Sequence, residues 1–278
     1  MAFHYFDGIS GIIVDLRHKM DLGIRGKQAL VCGASRGLGL GCATALAEAG
    51  VNLIINARSE GNLTKSAEMI AKTYEVDVTI AVGDITDDRE RKKVLEMATD
   101  IDILVTNAGG PPPGIWQDWE KTDFLRALEA NMLTPIALMK KLLPGMIEKG
   151  WGRVVNITSQ SVKAPIATLG LSNSARAGLT GYVAGTARQV AYSGVTINNL
   201  LPGSHSTDRI TGLLTVMSKE KGIGVKELRR EMEASIPAKR LGTREEFGAA
   251  CAFLCSVHAG YIVGQNILID GGAVNVTI

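Results

Sequence analysis

The sequence predicts an α/β fold: a single doubly wound parallel sheet of about seven strands with helices on both faces. Three observations predict it. Short, nearly continuous apolar runs recur along the chain, as strands buried on both faces require. Between them lie segments whose apolar residues repeat at helical spacing. A glycine-rich turn, Gly33-Ala34-Ser35-Arg36-Gly37-Leu38-Gly39, joins the first run to the first helix. Such a turn lets backbone approach an anion at the helix N-terminus, where free N–H groups and the positive dipole end converge.

The elements follow in order. Gln28–Cys32 is the first strand, and Leu38, Cys42, Ala45, Leu46 and Ala49 mark the helix after it. Val51–Asn56 is the second strand, followed by a helix face of Leu63, Ala67, Ile70 and Tyr74. A strand over Val76–Val82, a charged helix over about 87–98 and a fourth strand at Asp102–Thr106 come next. The stretch from Trp116 to about Glu148 reads as long and helical, bent at Pro135 and Pro144. A strand at Arg153–Ile157, a helix over about 170–192, a strand at Val195–Leu201, a helix over about 244–256 and a last strand at Asn266–Ile269 complete the pattern. Strands separated by helices need crossovers, hence a parallel sheet. No linker, repeat or low-complexity stretch interrupts the alternation, so 20–278 reads as one domain. Residues 1–19 read as an N-terminal extension with no assigned chemistry.

Two irregular stretches fall at the carboxyl edge of the sheet, where ligands bind in such folds. One is Asn107–Gly114, stiffened by Pro111, Pro112 and Pro113. The other runs from Gly203 to about Pro237, and its apolar Leu213, Leu214, Val216 and Met217 suggest a substrate lid over about 204–236. A surface helical insertion is the alternative.

Bulk properties exclude several classes. A net charge of +2 gives no electrostatic reason to expect nucleic acid or a membrane surface. Cys32, Cys42, Cys251 and Cys255 sit inside apolar strand or helix patterns and read as reduced core residues. With only four histidines, no metal site is expected, and the chain reads as soluble and cytoplasmic. No apolar run reaches membrane-spanning length.

Taken in order, the motifs resemble the short-chain dehydrogenase/reductase family from about residue 24 to the C-terminus, 3-oxoacyl-[acyl-carrier-protein] reductase-like members in particular. Gly33, Gly37 and Gly39, with Ser35, Arg36 and Leu38 between them, match its cofactor turn, although Cys32 stands where threonine is usual. Asp84, followed by Ile85, matches the aspartate that holds the adenine amino group. Asn107-Ala108-Gly109 matches the turn after the fourth strand, and Asn131 the helical asparagine that anchors a proton-relay water. Ser159 falls on the catalytic serine, and Pro202-Gly203 with Thr207 on the loop that meets the nicotinamide. Ile236-Pro237 through Gly242, and Gly264-Gln265 to Gly272, match the C-terminal segment. The resemblance implies a Rossmann-type fold, a homodimer or homotetramer, and hydride transfer to or from a small-molecule carbonyl or alcohol.

The cofactor expected is NADP(H). An NAD-selective site places a carboxylate after the second strand, whereas here the stretch reads Asn56-Ala57-Arg58-Ser59. Arg36 and Arg58 are suited to flank a 2′-phosphate, since guanidinium forks bind phosphate bidentately.

The chain departs from the family at its Tyr-x-x-x-Lys pair. Counting on from Ser159 places Ser172 and Arg176 at those positions, still one helical turn apart. A serine hydroxyl is a far weaker acid than a phenol, and arginine does not shuttle protons. Tyr182 stands too far along the same helix, about 15 Å at 1.5 Å per residue. Lys163 is the better candidate for the missing proton donor and His205 the second, each with an ordinary surface or loop role as the alternative. Arg176 retains the capacity to bind the nicotinamide ribose. Two other functions compete with an oxidoreductase: a non-catalytic NADP(H)-binding sensor or scaffold, and a lyase or isomerase on the same fold.

Overall fold

In the computed structural model, which describes residues 20–277, all the strands are parallel. They are β1 (Gln28–Cys32), β2 (Asn52–Ala57), β3 (Val78–Val82), β4 (Ile103–Thr106), β5 (Gly152–Ile157), β6 (Val195–Pro202) and β7 (Asn266–Ile269). Their spatial order is β3-β2-β1-β4-β5-β6-β7, so the winding reverses between β1 and β4. That reversal opens a crevice beyond the carboxyl ends of β1 and β4. The expected extension, residues 1–19, lies outside the described residues.

Alternating side chains of each strand feed two cores. Ala29, Val31, Leu53, Ile55, Ile103 and Val105 pack on the face covered by α1 (Gly37–Glu48), α2 (Glu60–Tyr74) and α9 (Arg244–Cys255). Leu30, Ile54, Leu104 and Val154 pack on the other face, under α3 (Asp88–Met97), α5 (Thr134–Glu148) and α6 (Gly170–Val190). Burial on both sides explains why the strands read as continuous apolar runs rather than alternating ones. α1 and α9 approach very closely: a Cβ on Gly248 would stand 2.2 Å from the Gly41 carbonyl oxygen. All four cysteines are buried and reduced, as the sequence suggested.

Helix formation starts at Lys121, later than the expected Trp116. Asp118 Oδ2 accepts the Ile115 N–H at 2.8 Å and holds that segment as a turn. Glu120 and Asp123 then form a reciprocal capping box that opens α4 (Lys121–Leu128). A π-helical turn, Glu129–Leu133, joins α4 to α5 and contains Asn131. Inserting one extra residue per turn in this way is common at functional sites. The excursion after β6 is two helices, α7 (Asp208–Lys221) and α8 (Val225–Ser235). Among the described residues, no helix is long and apolar enough to cross a membrane.

Leu179, Val183 and Val190 of α6 face the sheet and are buried in its core. The rotation of α6 about its own axis decides this, and periodicity alone does not report that rotation.

Candidate active site

The crevice is walled by the glycine turn. A Cβ on Gly39 would stand 2.2 Å from the Gly33 carbonyl oxygen, and one on Gly33 2.6 Å from Asn107 Nδ2. Only glycine fits at either position, and Gly33 and Gly37 also adopt φ of +61° and +58°. Asn107 Nδ2 donates to the Gly33 carbonyl at 3.4 Å, tying the loop after β4 to the turn after β1. Ser35 is held through its carbonyl, which accepts from Ser66 Oγ at 3.2 Å. Thr207 comes within 3.8 Å of the place a Gly37 Cβ would occupy, so the loop after β6 reaches the same turn. The N-terminus of α1 has no side-chain cap and no acidic residue in its first turn. Its free N–H groups and dipole therefore favour an anion, which suits a dinucleotide diphosphate.

At one end of the crevice, Arg36 and Arg58 are exposed at the rim. Arg36 lies 3.8 Å from Asp208 of α7, and Arg58 3.8 Å from Asp84. Both pairs are long and solvated, so each guanidinium can turn to a phosphate at little cost. Asp84 Oδ1 accepts from the Thr86 N–H and Oγ1 at 3.0 and 2.8 Å, which orients the carboxylate. The Ile85 side chain is buried in the core, so its backbone is what the crevice can use. Ala108 and Gly109 lie beside the crevice, and Pro202-Gly203 closes it, the Gly203 N–H bonding the Ile269 carbonyl at 2.9 Å.

At the other end, Ser159, Ser172, Arg176 and Asn131 are positioned by three different elements. Ser159 follows β5, and its Oγ accepts the Ser161 N–H at 3.1 Å, which leaves its own proton to donate. Arg176 of α6 donates from Nε to Ser172 Oγ at 3.1 Å and from Nη1 to the Ile157 carbonyl at 2.9 Å. Ser172 and Arg176 are only 5% and 6% exposed. Burial, with the charge of Arg209 adding to it, brings the Arg176 guanidinium down to about 10. Asn131 Nδ2 lies 3.4 Å from the Gly109 and Ala127 carbonyls. Lys163 ends the short turn Gln160–Val162, its backbone N–H donating to the Gln160 carbonyl at 2.9 Å, and its side-chain ammonium makes no hydrogen bond or ion pair among the described residues.

His205, the second candidate proton donor, is buried. Its ring is buried, packs edge-on against Phe247 at 5.3 Å and against Gly242, and Nδ1 faces the Gly203 carbonyl at 3.2 Å. Burial pushes its pKa down, keeping it neutral. The cause is the return of residues 240–243 beside Ser204–Ser206, a pairing over long sequence separation.

Two features escaped sequence reading. A hydrogen-bonded side-chain ladder crosses the sheet under the site: Thr106 Oγ1 donates to Asn156 Oδ1 (2.7 Å), Asn156 Nδ2 to Asn199 Oδ1 (3.2 Å) and Asn199 Nδ2 to Asn266 Oδ1 (2.8 Å). These residues are in register on β4, β5, β6 and β7. Polar residues within otherwise apolar strands were the available signal. The second feature is Arg209 of α7, whose guanidinium lies over Gly110, 2.7 Å from where a Cβ would stand.

A family model described as enoyl-(acyl carrier protein) reductase matches residues 33–274. The chain is 33% identical to the 3-oxoacyl-[acyl-carrier-protein] reductase FabG of Vibrio cholerae over 257 residues, covering 90% of this chain and 98% of that protein. It is 30% identical to the NADPH-dependent reductase BacG of Bacillus subtilis over 252 residues, covering 89% and 97%. Among solved structures, L-sorbose reductase from Gluconobacter frateurii, complexed with NADPH and L-sorbose, superposes with a TM-score of 0.88 at 26% identity, covering 92% of this chain and all of that one.

Proposed function

The chain belongs to the short-chain dehydrogenase/reductase family, and from that premise we propose that it is an NADP(H)-dependent oxidoreductase acting on a small carbonyl or alcohol, with Ser172 and Arg176 in place of the family's tyrosine and lysine. The observation that carries this reading is the uncapped α1 N-terminus enclosed by Gly33, Gly39, Asn107 and Thr207. Those residues would hold the diphosphate, and Arg36 and Arg58 a 2′-phosphate. Its NADPH-dependent relatives support the choice of NADP(H).

A bound nicotinamide supplies or accepts the hydride. The chain's own residues handle the oxygen and its proton. Ser159 accepts a backbone N–H and Ser172 accepts from Arg176, so both hydroxyl protons are free to point at a carbonyl oxygen. The guanidinium bond to Ser172 Oγ draws electron density from that hydroxyl and strengthens it as a donor. Arg176 in turn is fixed by the Ile157 carbonyl at the end of β5. Lys163, unpaired among the described residues and four residues beyond Ser159, is the group we assign to deliver the proton. Helices α7 and α8 form the lid, and Trp119, packed on Gly114 and Gly170, walls the pocket.

We also assign a homodimer or homotetramer. Leu125 and Leu133 are 54% and 46% exposed on the α4–α5 rod, a face that association would cover. NADPH consumption against a panel of ketones and 3-oxoacyl thioesters tests the activity. A chain that binds NADPH tightly yet reduces none of them is a binding protein, and the oxidoreductase reading fails.

A further inference from the structure

The loop that leaves β6, Gly203-Ser204-His205-Ser206-Thr207, carries one large side chain, and that side chain is buried. Its other residues are too small to anchor the backbone, so the seat of His205 decides where the loop runs. Three contacts make that seat. Nδ1 stands 3.2 Å from the Gly203 carbonyl oxygen; a carbonyl only accepts, so Nδ1 carries the ring's proton and donates it to that bond. The ring meets Phe247 of α9 edge-on, with centroids 5.3 Å apart. It also lies against Gly242, where a Cβ would come within 2.7 Å of Cδ2. The backbone closes around it: the Gly242 N–H donates to the Ser204 carbonyl at 3.0 Å, and the Ser206 N–H to the Gly242 carbonyl at 2.8 Å.

This seat is referred to the helix that opens the crevice. Phe247 belongs to α9, which packs backbone to backbone on α1. A Cβ on Gly41 would stand 2.2 Å from the Arg244 carbonyl oxygen, and one on Gly248 2.2 Å from that of Gly41. Close-packed contacts of this kind transmit displacement rather than absorb it. His205, Phe247, α9 and α1 therefore form one continuous strut. Its ends are the loop after β6 and the N-terminus of α1. Thr207, two residues beyond His205, comes back to the glycine turn at Gly37.

We propose that His205 is a positioning residue: by tying the Gly203 carbonyl to a ring seated on α9, it fixes the span between the loop after β6 and the α1 N-terminus that a bound dinucleotide must match. This rests on the NADP(H) reading, in which the α1 N-terminus takes the diphosphate and Pro202-Gly203 lies at the nicotinamide end. An apolar side chain of similar size would fill the space between Phe247 and Gly242 but would leave the Gly203 carbonyl without its donor. The histidine serves the shape of the loop, and its proton stays on Nδ1.

The test titrates the full chain with NADPH and, separately, with adenosine 2′,5′-bisphosphate, the part of the cofactor assigned to Arg36, Arg58 and Asp84. In His205→Leu, which keeps bulk and loses the donor, the Kd for NADPH should rise about tenfold or more, and that for the bisphosphate should stay within about twofold. His205→Asn, whose amide N–H stands near the place of Nδ1, should recover most of the loss. Gly242→Ala pushes a methyl against the ring without altering its chemistry, and should weaken NADPH about threefold or more with the bisphosphate again unchanged. Equal losses for the two ligands make His205 a packing residue and overturn the proposal. No loss in His205→Leu, or a loss that His205→Asn does not recover, overturns it as well. If His205→Leu does not fold, the other two variants decide. A loss confined to NADPH in Gly242→Ala, with His205→Asn close to the parent, sustains the role, and any other pair of results overturns it. A parent that binds neither ligand fails the NADP(H) reading itself, whereas variants that bind both as the parent does overturn the positioning role alone.

Discussion

Arg176 holds Ser172 by a single Nε–Oγ hydrogen bond of 3.1 Å along one turn of α6. The pair keeps the spacing and the shared helical face of a tyrosine–lysine pair, with the cation again four residues after the hydroxyl. The charge sits on a group that does not give up its proton, and the hydroxyl is the weaker acid. On the proposed function the pair polarises and orients the substrate, and the proton comes from elsewhere.

Restoring Tyr and Lys at 172 and 176 should change activity far more than stability, because both positions end at the crevice rather than in the strand core. Ser172→Ala should lower kcat by about 10–10²-fold and Ser159→Ala by about 10²–10³-fold, with NADPH affinity retained. Lys163→Ala should abolish turnover in the same way. Steady-state kinetics beside NADPH titration read all three, and a rate that survives Ser159→Ala removes that residue as the carbonyl's partner.

Arg176→Met should raise thermal stability or leave it unchanged while reducing activity. A buried guanidinium replaced by an apolar side chain of similar length loses a desolvation cost larger than its two hydrogen bonds to neutral acceptors return. A calorimetric Tm lower than the parent's by several degrees contradicts this account.

Arg58→Ala should narrow the preference for NADPH over NADH by about tenfold, as loss of a charged phosphate contact implies. Arg36→Ala should act in the same direction and also free Asp208 at the start of α7. Parallel titrations with the two cofactors read the ratio directly.

Asn156→Leu should destabilise by about 2–3 kcal/mol, because it strands the buried Thr106 hydroxyl and the Asn199 carbonyl at once. Urea unfolding gives the value. A change below about 0.5 kcal/mol would mean the ladder is filled by other partners.

The start of α9 should lose stability in acid. Thr243 Oγ1 accepts the Glu246 N–H at 3.1 Å, and Glu246 accepts the Thr243 N–H at 2.9 Å. Hydrogen bonds from Arg240 first, then from the Thr243 backbone, hold the Glu246 carboxyl down to about 2. A carboxyl lowered on folding stabilises above its unfolded value and loses that contribution as pH falls through the folded one. Thr243→Ala should cost about 1 kcal/mol at neutral pH. The difference in Tm between the parent and Glu246→Gln should shrink at about pH 3.

The sequence by itself determined what depends on neighbours along the chain. Apolar runs such as Leu30-Val31 and Ile54-Ile55 are strands because a two-sided core admits only apolar residues, and the strand limits read from them differ from the observed ones by a residue or two. Gly33 and Gly39 were legible because no side chain fits beside the Gly33 carbonyl. The serine–arginine pair was legible because helical spacing puts both on one face. Only the tertiary structure decided what depends on elements far apart in sequence. The burial of His205 follows from the return of Gly242 beside it, and the inward turn of Leu179, Val183 and Val190 from how α6 seats on the sheet. The Thr106–Asn156–Asn199–Asn266 ladder exists only in the strand order and register. The meeting of Arg209 with Gly110 needs α7 to fold back over the fourth strand's loop. Contacts across such separations are set by the packing of whole elements, and no local pattern of residues encodes them.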